Sequence, residues 1–370
     1  MYIKNIEISN FRNIKKMNLE FNKSVNIFIG KNAQGKTSIL ESIYVLAFTK
    51  SCKGFNEEEL IKNGERFFRV KGLVKKGSLN RKFEVSYKKN DKIIKIDEVK
   101  INKISNYISN INVIMFSPDD LDIVKKSPSV RRNFLNIELC QLHSDYLKAL
   151  NEYNKILKMR NEYIRKNNNS INYTYLDVIT KELIDREIII CKYRNEFINE
   201  INEKIDNIFY KITRKKGLKL KYKRNIEESD KLELFKVYKK NYPLDFDKGT
   251  TNNGSHRDDF EFYFNDSDLK LYGSQGLQRL SILSLKLAEI DIFKNKSGNY
   301  PIVLLDDIFS EIDLDKRKNL LKFIKKSIQF IITTTDINNI SEKILTDSTV
   351  FEVENGIIKK RSDKIEGKTI

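Results

Sequence analysis

The segment Gly30-Lys31-Asn32-Ala33-Gln34-Gly35-Lys36-Thr37 matches the phosphate-binding loop pattern Gly-x-x-x-x-Gly-Lys-Ser/Thr at every fixed position. Such a loop works only between a buried strand and a helix. Val25 to Ile29 supplies an apolar strand, and Ile39, Leu40, Ile43, Leu46 and Ala47 give the helix expected from Ser38 its apolar side. The glycines let backbone N–H groups turn inward around phosphate oxygens, and the helix N-terminus adds partial positive charge. Lys36 is then expected to reach the β- and γ-phosphates and Thr37 to ligate Mg²⁺. The expected ATP-binding set is Gly30, Lys31, Asn32, Ala33, Gln34, Gly35, Lys36, Thr37 and Ser38.

A P-loop needs an acid at the end of a second buried strand. Pro301-Ile302-Val303-Leu304-Leu305-Asp306-Asp307 fits this requirement. Asp306 is expected to hold the magnesium with Thr37, and Asp307 to orient or deprotonate the attacking water. An exposed acidic loop after a strand would look the same without the P-loop. Asp306 and Asp307 are therefore the candidate catalytic residues, and ATP and Mg²⁺ the expected cofactors.

Most of the chain lies between Lys36 and Asp306, and its texture changes twice on the way. Strand candidates run at Ile6 and Ile8, Asn18 to Phe21, Phe67–Val74, Arg81–Tyr87, Ile93–Ile96 and Asn112 to Phe116. Turns are expected at Gly77-Ser78 and Asn90-Asp91, and Asp119-Asp120 stand where a helix would start. From about Arg131 to Ile212 charge is dense, and glycine and proline are absent. Ile198, Ile201, Ile205, Ile208 and Ile212 alternate steps of three and four, and Ile184, Ile188 and Cys191 share that spacing. Asn167 to Asn169 reads as the turn of a helical arm, or of an ordinary helical insertion. After Pro243 strand texture returns at Phe260, Phe262 and Phe264. Gly273 to Gly276 forms a loop, a helix begins near Leu277, and Gln329 to Ile332 makes a further strand. The expected organisation is an α/β ATPase head formed by residues 1–116 and 243–370, with a helical insertion at 117–242.

Of the 370 residues, Lys and Arg number 69 against 51 Asp and Glu, a net charge of +18. That excess suits a polyanion such as nucleic acid, or an anionic membrane surface, and equally a Lys- and Asn-rich background. Lys125-Lys126, Arg131-Arg132 and Arg214-Lys215-Lys216 are candidate phosphate contacts or solvated faces. No helix-turn-helix or zinc pattern is visible, which argues against sequence-specific readout. Three cysteines, Cys52, Cys140 and Cys191, form no disulfide framework, and two histidines leave little room for His-based metal chemistry. No apolar stretch is long enough to span a bilayer, and the N-terminus lacks a signal-peptide pattern, so a cytoplasmic protein is expected.

Wide spacing with a signature loop shortly before the acidic strand resembles the ABC-type ATPases of DNA maintenance, the SMC and RecF families among them. Tyr272-Gly273-Ser274-Gln275-Gly276-Leu277-Gln278-Arg279 resembles the RecF signature, with Leu277 where the family usually has glutamine. The blocks Ile8 to Asn13, Gly30 to Glu41, Phe116 to Leu121, Ser127 to Leu135 and Gly254 to Asp259 are similar to RecF blocks. Ser310-Glu311-Ile312-Asp313 looks like the D-loop, and Thr333-Thr334-Thr335-Asp336 stands where transporters carry a switch histidine. The resemblance implies an ATP-dependent homodimer in which Ser274, Gln275 and Gly276 of one protomer meet the γ-phosphate held by Lys36 of the other, with Ser310 and Asp313 in the D-loop. A serine before a helix also reads simply as an N-cap. The family further implies a weak, DNA-stimulated ATPase and a clamp on gapped duplex at single-strand to double-strand junctions. It would work with RecO and RecR to load the RecA recombinase in repair, replication-fork maintenance and the SOS response. Two alternatives share the Walker motifs. A transporter ATPase subunit is opposed by the missing histidine and the helical insertion, and an SMC-like structural ATPase by the short middle region.

Overall fold

Apolar residues at every second position fold the N-terminus into a hairpin. In the computed structural model, which describes residues 1–89, 91–166, 171–340 and 342–363, Tyr2–Phe11 pairs antiparallel with Ile14–Glu20. Ile6 faces Leu19 and Ile8 faces Met17, all four buried on one side. Four more strands extend this antiparallel sheet, in the order Ile14–Glu20, Tyr2–Phe11, Phe67–Lys76, Leu79–Lys88, Asp91–Ile96, Val99–Lys100. Val70, Val74, Phe83, Val85 and Ile94 continue the buried face. On the opposite face Glu84 lies 3.4 Å from Lys71 and 3.8 Å from Lys95. The turn expected at Asn90, like that at Asn167 to Asn169, lies outside the described residues.

Short, mostly apolar runs build the centre of the second sheet, as expected when both faces are covered. Its order is Ile357–Asp363, Ser348–Glu354, Val25–Ile29, Phe330–Thr334, Ile302–Asp306, Val113–Phe116. All neighbours are parallel except the first pair. The helix Lys36–Phe48 lies between the two sheets and is buried on nearly every side. Gly72 is the point of closest approach, because a Cβ there would meet the Leu46 side chain at 2.5 Å. Gln329 ties the sheets together: its side chain accepts from Ile3 N (2.8 Å) and donates to Ile3 O and Asn22 O (2.9 Å each).

The chain divides into two compact units, residues 1–120, 208–214 and 283–370 in one and 121–207 and 215–282 in the other. The first contains both six-stranded sheets. The expected C-terminal head segment is thus split, since residues 243–282 group with the helical unit. Strand pairing accounts for this: Asp259–Phe264 pairs antiparallel with Leu218–Lys223, a strand the sequence reading missed.

The second unit is built on the helices Pro128–Leu142, Ser144–Lys166 and most of Tyr173–Thr213. Of the expected seam, Ile184, Cys191, Ile198, Ile201 and Ile205 are buried, whereas Ile188 is only half-buried. The helices Lys231–Lys240 and Tyr242–Lys248 were not anticipated, although Asp230 caps the first by accepting from Leu232 N (2.8 Å) and Glu233 N (3.1 Å). The largely apolar core of this unit also holds buried ion pairs. Arg160 pairs with Asp245 at 2.9 Å and Arg194 with Asp258 at 3.2 Å, all four side chains nearly excluded from solvent. Among the described residues no helix is long and apolar enough to cross a membrane.

Candidate nucleotide-binding site

The P-loop leaves the C-terminal end of Val25–Ile29, where ligands gather in open α/β sheets. Its helix begins at Lys36, two residues earlier than the sequence suggested. Gly35 stands before it at φ 103°, a left-handed conformation that favours glycine, and a Cβ there would press on the Asn13 amide at 2.7 Å. A Cβ on Gly30 would collide with the Val353 carbonyl oxygen. Gln34 is held by a neighbouring turn: Asn355 N donates to its Oε1 (2.7 Å) and Gly356 N to its carbonyl (2.8 Å). Three loop positions are therefore set by contacts from Asn13 or from the hairpin around residues 353–356.

The strand order brings the second motif alongside. Phe330–Thr334 lies between the P-loop strand and Ile302–Asp306, in a register that sets Asp306 opposite Thr333. Thr37 Oγ1 donates to Asp306 Oδ1 at 2.9 Å, and Thr333 Oγ1 donates to the same oxygen at 2.8 Å. Asp307 follows in a left-handed conformation at φ 47°, with its N–H directed to Thr333 Oγ1 (3.0 Å). The Lys36 ammonium folds over the loop, donating to Gly30 O (2.6 Å) and Lys31 O (2.9 Å). Burial pushes its pKa down, and Asp307 and Asp306 oppose that shift.

A cleft of about 620 Å³ opens over these groups. Asn32, Ala33, Gly35, Lys36, Thr37, Ser38, Asp306 and Asp307 line it, whereas Gly30, Lys31 and Gln34 face a second cavity on the other side of the loop. The cleft also takes in residues that the sequence reading did not assign, Arg12, Asn13, Glu59, Ile61, Asn63 and Asp119 among them. Arg12 is fixed by Glu41, with Nε to Oε2 at 2.9 Å and Nη2 to Oε1 at 3.3 Å. Its guanidinium lies 4.1 Å from the Phe55 ring centre. Arg12 and Asn13 belong to the N-terminal block whose resemblance was noted, but only the fold carries that block to the cleft.

Ser310 and Asp313 are exposed in the turn after Asp307, and Ser310 Oγ donates to Asp307 O at 2.8 Å. Ser274, Gln275 and Gly276 belong to the other unit and are exposed. The Ser274 hydroxyl accepts from Leu277 N at 3.3 Å at the start of the helix Gln275–Ser297, so the N-cap reading holds and the hydroxyl still faces solvent.

The basic clusters fare unevenly. Arg131, read as a candidate phosphate contact, is buried and forms a two-pronged pair with Asp259 at 2.6 and 2.9 Å. Its remaining nitrogen donates to Ile123 O and Lys126 O. Arg132 donates to Asp258 O at 2.8 Å. Arg131 is therefore withdrawn from the surface set, because its donors are consumed inside the fold.

Residues 2–359 match the family described as RecF/RecN/SMC N terminal domain. The chain is 41% identical over 365 residues to the DNA replication and repair protein RecF of Clostridium botulinum strain 657, covering 97% of this chain and 100% of that protein. It is 39% identical over 370 residues to RecF of Shouchella clausii, again covering 97% and 100%. A solved structure of the recombination mediator protein RecF with ATP, in the RecFOR pathway, superposes with a TM-score of 0.89 at 32% identity, covering 99% of this chain and 98% of that one. An SMC head bound to a winged-helix domain shares the fold at a TM-score of 0.57 and 16% identity. On these similarities and on the P-loop geometry together, the chain belongs to the RecF family of DNA replication and repair proteins, ATPases with an SMC-like head.

Proposed function

We propose that this chain is an ATP-controlled DNA clamp whose nucleotide site is completed by a second copy. The observation that carries the reading is the meeting of Lys36, Thr37 and Asp306, distant in sequence, at one end of the parallel sheet. Lys36 would leave its loop carbonyls for the β- and γ-phosphates, and the backbone of residues 30–38 would cradle them. Thr37 Oγ1 and Asp306 Oδ1 form a hard oxygen pair that suits Mg²⁺, an ion that takes few protein ligands and completes its shell with phosphate and water. When bound, the metal would supply charge neutralisation at the terminal phosphates. Asp307 would orient the attacking water. It is one methylene shorter than a glutamate, which suits slow turnover used as a switch.

Ser274, Gln275 and Gly276 act across the dimer in this reading, with Ser310 and Asp313 as the D-loop beside them. The exposure of Ser274 supports it. So does Gly276, where a Cβ would have nothing within 4 Å: no contact among the described residues accounts for a glycine there, while backbone approach to a ligand would. The sheet-rich unit serves as head and the helical unit as arm. ATP brings two copies around duplex DNA without sequence preference, at gapped substrates and single-strand to double-strand junctions, and DNA-stimulated hydrolysis releases it. RecO and RecR are the expected partners in the cytoplasm, with RecA loading and support of the SOS response as the outcome. The pathway named for the solved RecF–ATP structure supports that placement.

Light scattering and gel shifts test the proposal together. Wild type should dimerise with ATP and Mg²⁺ and then retain gapped duplex more strongly than single strands, with affinity falling steeply as salt rises. Lys36→Met should abolish nucleotide-dependent dimerisation. A mutant that dimerises as the wild type does, or DNA binding indifferent to ATP, rejects the clamp.

A further inference from the structure

The P-loop separates two cavities, and the nucleotide chemistry uses only one. The second, of about 680 Å³, lies against Gly30, Lys31 and Gln34 on the side away from Thr37. Its floor is apolar, formed by Ile29, Ile337, Val350 and Val353. Three carboxylates stand around it, Asp336, Glu352 and Glu354, against the lysines Lys31 and Lys359. Lys359 is paired with Glu354 at 3.4 Å, so among the described lining residues Asp336 and Glu352 outnumber the remaining lysine, Lys31. An apolar floor with a surplus acid suits a ligand that offers bulky apolar groups beside a cation.

The helical unit carries such a group two residues before Ser274. Leu271 and Tyr272 are 69% and 77% exposed, and Tyr272 is the barest large apolar side chain among the described residues. Their backbone is nonetheless fixed. Asp268 accepts from Lys270 N at 2.8 Å, Leu269 is buried, and Gln278 Nε2 donates to Leu269 O at 2.7 Å. Gly273 packs against that same carbonyl, where a Cβ would sit at 2.5 Å. Apolar side chains displayed on a fixed turn lose little entropy on association, the usual property of an interface anchor. Lys270 adds the cation.

We infer that the Lys270-Leu271-Tyr272 turn of a second copy seats in the cavity behind the P-loop. Its apolar side chains cover Ile29 and Ile337, and its ammonium lies toward Glu352 and Asp336. The inference rests on the reading that Ser274 acts across the dimer, and it adds the anchor that reading lacks. Two residues of chain reach about 7 Å, so a Ser274 brought to the P-loop keeps Tyr272 within that distance of the loop that separates the two cavities. In a two-fold dimer the contact occurs twice, so one substitution removes two anchors.

A charge swap in the full-length chain tests it, read as the protein concentration at half-dimerisation in ATP and Mg²⁺. Lys270→Glu should raise that concentration at least about tenfold, as should Tyr272→Ala, with binding of a fluorescent ATP analogue to the monomer unchanged. Adding Glu352→Lys to Lys270→Glu should restore dimerisation to within roughly threefold of wild type, a rescue that misfolding cannot produce. If wild type dimerises and both single variants do so equally well, the anchor is refuted while the clamp stands. If Lys270→Glu weakens the dimer and Glu352→Lys does not restore it, the cavity is not the seat. If wild type itself stays monomeric with ATP, the clamp reading fails and this inference with it.

Discussion

The hydroxyl of Thr37 and the carboxylate of Asp306 meet at 2.9 Å, although most of the chain lies between them. A second hydroxyl, from Thr333, holds the same carboxylate oxygen at 2.8 Å. The acid is thus held by two hydroxyls of its own chain, which lowers the reorganisation needed when charge is placed beside it.

Asp306→Asn should separate orientation from charge. The amide oxygen can still accept from both hydroxyls, so the ligand-free melting temperature should stay near wild type. The Mg²⁺ concentration for half-maximal ATP turnover should rise by roughly 10–100-fold. A magnesium titration of phosphate release checks this, and an unchanged midpoint would remove Asp306 from the metal site.

Asp307→Asn should trap the ATP-bound dimer. The residue sits at φ 47°, a conformation asparagine tolerates, so the change isolates the loss of the carboxylate. Phosphate release should fall on the order of 100-fold while ATP-dependent dimerisation persists. Single-turnover hydrolysis gives the answer, and wild-type rates would exclude Asp307 from catalysis.

Arg131→Ala should damage the fold and spare the DNA interface. The change strands Asp259 and several carbonyls, and breaking a buried pair costs about 3–5 kcal/mol. Denaturant unfolding should show that loss. The salt dependence of DNA binding, measured well below the melting temperature, should keep its slope. A shallower slope with normal stability would return Arg131 to the surface set.

Two buried groups give the helical unit opposing pH responses. Burial raises Glu187 from 4.5 to about 7, even though the Tyr238 hydroxyl donates to it at 2.5 Å. The folded state therefore holds a proton that the unfolded state has lost, and this contribution to stability declines as pH rises from about 4.5 to 7. His256 runs the other way. Burial, helped by Arg257 and Arg132 and opposed by the hydrogen bond to Thr251 O, lowers it from 6.5 to about 4, so its contribution rises with pH across that window. The two should nearly cancel between 4.5 and 6.5 in the wild type. Glu187→Gln should uncover the histidine's rise and be the more stable protein above pH 7, by on the order of 2–3 kcal/mol. Melting temperatures across that range decide it; parallel curves for the two proteins would contradict the assignment.

Much of the candidate nucleotide site could be read from the chain as an expectation because its signals are local. A glycine pattern between an apolar strand and a helix specifies a cradle wherever it occurs, and an apolar run ending in Asp306-Asp307 specifies a buried strand with acids at its mouth. The isoleucine seam likewise located the long helix Tyr173–Thr213 through its period. Arg12 and Asn13 escaped assignment because nothing in their neighbours' spacing shows that a hairpin carries them to the cleft. Arg131 was misread for a related reason: composition records a charge but not whether Asp259 already holds it.

Sequence alone determined many of the segments that form strands and helices, and which loop could hold a triphosphate, since both follow from side-chain period and backbone freedom over a few residues. Tertiary structure decided the rest. Strand order placed Phe330–Thr334 between the two nucleotide motifs, and the pairing of Leu218–Lys223 with Asp259–Phe264 drew residues 243–282 into the helical unit. These outcomes depend on which distant surfaces exclude water together, a property of the whole chain rather than of any stretch of it.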